Sequence, residues 1–371
     1  MKVGLLCYCR NIFESDGNTV RAKRVLNELN KVHEVMLVSL GKGEAPQSEN
    51  LVLLAPRWRK LWNLWLATII LRNRFDCIYC SNDWRGFFTA YLFSKFPKVV
   101  KYKVIFEAHS IVSETTKNLE GKSIKFRLSR LVEKLVIGHA DYVITLSPNT
   151  LETYCRYNKN IEMIPVFVDE DLFKRSEGTK RKQHDIKSQL KYIGLIGPFG
   201  VGANKGFLEF IAGHQVEFDP RIRFVGIGKC ERELTRERII YTGYLSSVQD
   251  YITQLTRLDA VLIPSVFATT GPCNKILEAM FCSLPVFTTP KGMVALYYLE
   301  PGRDIFVFEE KELPSKINEL IFDEALMRQV GNSARKAVER YYSKKVNRDK
   351  IVKVIHRVCN VKKQPATKGE V

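Results

Sequence analysis

Along the first half of the chain, short apolar runs alternate with longer stretches in which apolar positions recur every three or four residues. Strand-like runs near 3–9, 34–40, 77–80 and 103–107 are interleaved with the patterns at 19–29, 58–72 and 86–93. A helix over 124–138 leads to apolar strands over 141–146 and 161–168. Such alternation predicts βαβ units and a parallel sheet.

The stretch from Lys174 to Lys191 carries many charges and few large apolar side chains, the composition of an exposed linker. A second alternating series follows. Strands are expected near 191–196, 222–227, 238–242, 259–263, 284–288 and 304–308, with helices near 205–215, 248–256, 273–282 and 311–321. The organisation expected is a first α/β domain over 1–172, a linker over 173–190, a second α/β domain over 191–342, a last helix over 343–360 and a disordered polar tail over 361–371.

The 371 residues, 45% of them hydrophobic, are enough for two cores, since single cores stop growing near ~250 residues. The opening MKVGLLCYCR places Arg10 straight after a short apolar run and reads as a first strand rather than a signal peptide. The longest apolar stretch, 61–71, falls well below the ~20 residues that cross a bilayer. Nine scattered cysteines fit a reducing, cytoplasmic setting. Cys7, Cys9, Cys77 and Cys80 suit strand interiors better than a zinc site. The formal charge of +18 implies an anionic partner. No zinc-finger spacing, RNP-like aromatic motif or bZIP pattern points to nucleic acid, so none is expected as a partner.

The most informative stretch is PSVFATTGPCNKILEAMFCSLPVFTT, from Pro264 to Thr289. A strand ends, a Gly-Pro turn follows and a helix opens near Cys273. Backbone N–H groups and the helix dipole make such a start an anion site. Lys275 in the first turn adds a positive charge for a phosphate, and Glu278 one turn later can accept hydrogen bonds from ribose hydroxyls. Together they suit a nucleotide diphosphate.

This segment resembles the donor-binding motif of family 4 (group 1) glycosyltransferases in the form G-x-x-N-K-[IV]-L-E-A-M. The likeness extends over nearly the whole chain. Asp16-Gly17-Asn18 resembles the family's first glycine loop, residues 141–147 (DYVITLS) its D-x-V-I-x-x-S strand, and residues 164–169 (IPVFVD) with Phe173 its I-P-N-G-V-D…F segment, with Val166-Phe167 replacing Asn-Gly. The resemblance implies a GT-B fold: two Rossmann-like βα domains facing across a cleft, with the last helix crossing back to the first domain. It also implies a retaining, metal-independent hexosyltransferase. The C-terminal domain would hold a nucleotide diphosphate sugar, UDP- or GDP-linked rather than ADP-linked, and the N-terminal domain would present the acceptor. Domain closure over the linker would exclude water.

Residue by residue, the resemblance makes Glu278 the ribose ligand and Lys205 the diphosphate ligand. Gly17, Gly197 and Gly200 are the glycines that admit the donor, Thr270, Gly271, Pro272 and Asn274 meet the donor sugar largely through backbone, and His109 touches that sugar near the reacting carbon. His109, Lys205 and Glu278 are thus the expected catalytic set. Asn82 and Asp83 are candidates on the acceptor side. The family's Arg in its G-R-L segment is absent, and Thr270 stands for the first Glu of its E-x₇-E motif. Lys275 is expected to supply the missing charge. The departing diphosphate is the expected base.

Gly194-x-x-Gly197-x-x-Gly200 imitates a dinucleotide fingerprint, but Pro198 removes an N–H from the phosphate cradle, and the next strand ends in Gly226-Ile-Gly228 rather than a ribose carboxylate. A dehydrogenase is therefore excluded.

Two basic amphipathic patterns remain. Arg57, Trp58, Arg59, Trp62 and Trp65 form one, and Lys125, Arg127 and Arg130 flank the apolar positions of the other. They predict a peripheral anionic membrane contact on the inner face and a glycan or lipid-linked acceptor, as in polysaccharide or glycoconjugate synthesis. The alternatives are a GT-B sugar-nucleotide epimerase and a catalytically degenerate nucleotide-binding partner subunit.

Overall fold

The computed structural model describes residues 1–9, 12, 17–41, 51–96, 98, 101–174, 189–197, 199, 206–230, 238–245, 247–264 and 273–359. Most of the expected linker, and the tail over 361–371, lie outside the described residues.

The chain divides into two compact units, Met1–Pro165 with the chain from Asn347 onward, and Val166–Val346. The first contains β1 (Lys2–Cys7), α1 (Gly17–Leu29), β2 (Glu34–Leu40), β3 (Leu51–Leu54), a 3₁₀ turn (Pro56–Leu61), α2 (Trp62–Arg72), β4 (Cys77–Ser81), α3 (Trp84–Ser94), β5 (Lys103–Ala108), α4 (Val112–Glu120), α5 (Ile124–His139), β6 (Tyr142–Thr145), α6 (Pro148–Tyr154) and β7 (Ile161–Met163). Its seven strands run parallel in the order β3-β2-β1-β4-β5-β6-β7. Both faces of β1 are buried, which is why it reads as an unbroken apolar run. Strand order reverses between β1 and β4, where Leu6 lies beside Cys80. In sheets of this kind the crevice beyond the carboxyl ends of such a pair is the ligand position.

The second unit contains α7 (Glu170–Lys174), β8 (Lys191–Ile196), α8 (Phe207–His214), β9 (Ile222–Ile227), β10 (Ile239–Gly243), α9 (Val248–Leu255), β11 (Ala260–Ile263), α10 (Asn274–Phe281), β12 (Val286–Thr288), α11 (Pro290–Met293), β13 (Phe306–Val307), α12 (Leu313–Leu320) and α13 (Glu324–Tyr341). Its six strands are also parallel, in the order β10-β9-β8-β11-β12-β13, with the reversal between β8 and β11. Glycine permits the close packing of α13: a Cβ on Gly331 would lie 2.2 Å from the carbonyl oxygen of Ser283.

The final helix, α14 (Lys344–Val358), starts in the second unit, and from Asn347 it belongs to the first. There His356 meets the ring of His33 edge-on at 5.3 Å, and Arg357 donates to Tyr142 Oη at 2.6 Å. Side-chain caps set the helix starts: Asp83 for α3, Ser123 for α5, Ser147 for α6, Ser247 for α9 and Asp323 for α13.

Candidate functional site

In the second unit, β8 delivers Gly197 to the reversal point, where its N–H donates to Ile227 O at 2.7 Å. A Cβ on Gly228 would stand 3.3 Å from Gly197 Cα, so these backbones approach as closely as glycine allows. α10 begins at the same edge of the sheet. Lys275 in its first turn extends to the end of β8, and Nζ donates to Ile196 O at 2.8 Å. Burial pushes its amine down to about 8, with Cys273 and Glu278 opposing. Glu278, one turn on, accepts from the hydroxyl of the half-buried Tyr251 of α9 at 3.1 Å. Tyr251 was not singled out from sequence. Asn274 Oδ1 is buried with no hydrogen-bond partner among the described residues, an acceptor left open at the helix start. Gly200, Lys205, Thr270, Gly271 and Pro272 lie outside the described residues.

The Lys275 environment has a measurable consequence. Below pH 8 both folded and unfolded chains hold the proton, and the folded state bears the full penalty of burying it. Between about 8 and 10.5 the folded chain releases the proton that the unfolded chain retains, so this contribution to stability rises with pH. Urea unfolding should show wild type gaining on Lys275→Met across that window. Parallel curves would mean that the amine is not buried as described.

In the first unit, Gly17 opens α1, and Asn18 and Arg21 from that helix meet the ends of β4 and β5. His109, just past β5, is 8% exposed. Its Nδ1 lies 2.8 Å from Asn18 Oδ1, and its Nε2 lies 2.7 Å from Glu107 Oε1. Glu107 is wholly buried and accepts from Arg21 Nη2 at 2.8 Å and from the Tyr79 hydroxyl. Burial opposes ionisation of Glu107, but the Arg21 guanidinium and the bond with His109 prevail and hold its carboxyl well below the usual range. Asn82, in the left-handed region at φ 51°, donates to Asn18 Oδ1 at 3.3 Å and accepts from Trp84 Nε1 at 3.2 Å. Asp83 is buried and caps α3, its Oδ1 accepting from Gly86 N at 2.6 Å, and burial pushes its carboxyl up to about 7. The sequence reading missed Arg21, Tyr79 and Glu107. The signal was a lone carboxylate inside the apolar run of β5.

A hollow of about 310 Å³ beyond β1 and β2 is lined by Tyr8, Cys9, Leu40, Pro56 and Arg59. Arg85 lies over the Tyr8 ring at 4.9 Å. Among the described residues, no group of three or more His, Cys, Asp and Glu is placed to hold a metal ion.

Of the membrane-face candidates, Arg57, Trp58, Arg59, Lys125, Arg127 and Arg130 are exposed and Trp65 is half-buried. Trp62 requires a correction. It is 1% exposed, in the core with Leu66 and Ile70, its ring 5.4 Å from Tyr8. The 3₁₀ turn ahead of α2 advances about 120° per residue, so Trp58 and Trp62 do not share one helical stripe. The apolar stripe of α5 faces outward: Ile124 is 85% exposed, and Leu128, Leu131 and Leu135 are also exposed. α3, which packs on both α2 and α5, adds exposed Phe88 and Leu92. No helix among the described residues is long and apolar enough to cross a membrane.

Two doubly wound parallel sheets, each with its polar side chains gathered at the strand-order reversal, define a GT-B architecture. Residues 16–172 match the family model Glycosyltransferase Family 4, and residues 191–323 match Glycosyl transferases group 1. The chain belongs to the family 4 (group 1) glycosyltransferases. No curated protein sequence matches it. Among solved structures, sucrose-phosphate synthase from Thermosynechococcus elongatus aligns with a TM-score of 0.77 at 13% identity, over 97% of this chain and 100% of that one. HepE of Anabaena, solved with UDP and glucose, aligns with a TM-score of 0.73 at 15% identity, over 96% and 100%. WaaG, a glycosyltransferase involved in lipopolysaccharide biosynthesis, gives 0.67 at 14% identity, over 94% and 99%.

Proposed function

We propose that this glycosyltransferase moves a hexosyl group from a nucleotide diphosphate sugar, with retention and without a metal ion, to a glycan or lipid-linked acceptor in polysaccharide or glycoconjugate synthesis. The observation that carries the reading is the meeting of Gly197, the start of α10, Lys275 and Glu278 at the reversal of the second sheet. Backbone N–H groups and the Lys275 amine hold the diphosphate, and with Lys205 they stabilise the charge that develops on it as the glycosidic bond breaks. Glu278 accepts from the ribose. The leaving phosphate takes the acceptor proton, and His109 holds the donor sugar. UDP is the favoured nucleotide, supported by the HepE complexes with UDP and UDP-glucose. Thermal shift with UDP, GDP and ADP, each with and without EDTA, tests the donor site. Stabilisation by one nucleotide, unchanged by EDTA, is expected, and no stabilisation by any would overturn the reading.

The acceptor side is the first unit, with Asn82 and the hollow beside Arg59 and Tyr8. The exposed apolar and basic side chains of α2, α3 and α5 bind an anionic membrane surface from the cytoplasmic side. Co-sedimentation with phosphatidylglycerol vesicles should weaken by about 1 kcal/mol for each charge removed in Arg127→Gln and Arg130→Gln, and should fall with added salt. Equal binding to phosphatidylcholine vesicles would remove the anionic surface from the proposal.

A further inference from the structure

We propose that Glu107 and Arg21 are positioning residues that fix the ring of His109 for sugar transfer, an inference that rests on the glycosyl-transfer reading above. Arg21 is 2% exposed and Glu107 is fully buried, so the pair is sealed in the interior beneath the crevice. Burying two charges gives little net stability, and apolar residues of similar volume would serve as well. The geometry supplies another reason for the pair. Arg21 grips Glu107 through Nε, at 3.2 Å to each carboxylate oxygen, and through Nη2 at 2.8 Å, while Ser81 Oγ donates to Oε1 at 3.4 Å. A carboxylate held ionised accepts and cannot donate. The ring nitrogen facing it at 2.7 Å must therefore carry hydrogen, which assigns the Nε2–H to Glu107. Nδ1 is the remaining polar edge, 2.8 Å from Oδ1 of Asn18, an exposed residue in the first turn of α1. A sugar hydroxyl displacing the Asn18 amide would meet that edge. Glu107 touches no substrate in this arrangement, and its influence runs through the imidazole.

The test is two-bond ¹H–¹⁵N spectroscopy of ¹⁵N-histidine-labelled protein, with His109 assigned by its loss in His109→Gln, alongside donor turnover. Wild type should show His109 with Nε2 protonated. In Glu107→Gln, with native circular dichroism, the His109 nitrogen shifts should move and kcat should fall on the order of 100-fold, the scale expected of a misplaced catalytic contact, with donor KM within about twofold. Glu107→Asp should restore part of both, and Tyr79→Phe should move both in the same direction by less, which keeps the test open if Glu107→Gln fails to fold. Unchanged His109 shifts in Glu107→Gln, or shifts that move without any change in kcat, would overturn the proposal. Failure of the transfer reading itself would look different: wild type would turn over no donor, whatever the spectra show.

Discussion

Arg21→Met is expected to destabilise the protein by about 3–5 kcal/mol, because it strands the Glu107 carboxylate in the interior with its cation gone. The remaining neighbours cannot make this good. Tyr79, Ser81 and His109 Nε2 offer hydrogen bonds to the carboxylate, but none of them replaces the guanidinium. Lowering the pH should narrow the deficit, because protonating Glu107 removes the buried charge. The sign follows from the depressed carboxyl of the wild type: its contribution is present above the ordinary carboxylate pKa and is lost as pH falls through the folded value. Arg21→Met with Glu107→Gln should recover most of the loss, since no isolated charge then remains. Urea titrations of the two single variants and the double variant provide the cycle, and a loss below about 1 kcal/mol in Arg21→Met would show that the ion pair is not sealed from solvent.

Glu278→Ala is expected to weaken nucleotide diphosphate binding by about 1.5–3 kcal/mol, the worth of hydrogen bonds to a charged acceptor. At a ligand concentration 100 times the wild-type Kd, wild type gains about 2.7 kcal/mol, and most of that gain should vanish in the variant. Tyr251 complicates the reading, because its hydroxyl also loses an acceptor. Tyr251→Phe separates the two effects: it removes the internal bond but leaves the carboxylate for ribose, so nucleotide stabilisation should survive. Equal loss in both variants would mean that Glu278 serves the fold rather than the ligand.

Much of the architecture was legible in the sequence because the central strands of both sheets are buried on two faces and announce themselves as apolar runs. The expected strands at 191–196 and 222–227 coincide with β8 and β9. β3 escaped because it has only four residues and follows a polar stretch. The donor-side motif was visible since Asn274, Lys275 and Glu278 lie within one helix. The first-unit network was not, because Arg21 and Glu107 are 86 positions apart and Tyr79 is 28 from Glu107, and a single charge in an apolar strand carries no spacing rule. Trp62 was misplaced for a local reason: helical periodicity was extended across a turn with a different pitch.

The path of α14 sets an order of assembly during synthesis. Its side chains complete the first unit at His33 and Tyr142, and Cys359 just beyond it reaches Asp76 O, yet the ribosome makes them only after the entire second unit. A nascent chain ending before Asn347 carries the first seven strands with that docking surface bare, so the first unit to emerge is the last to be finished.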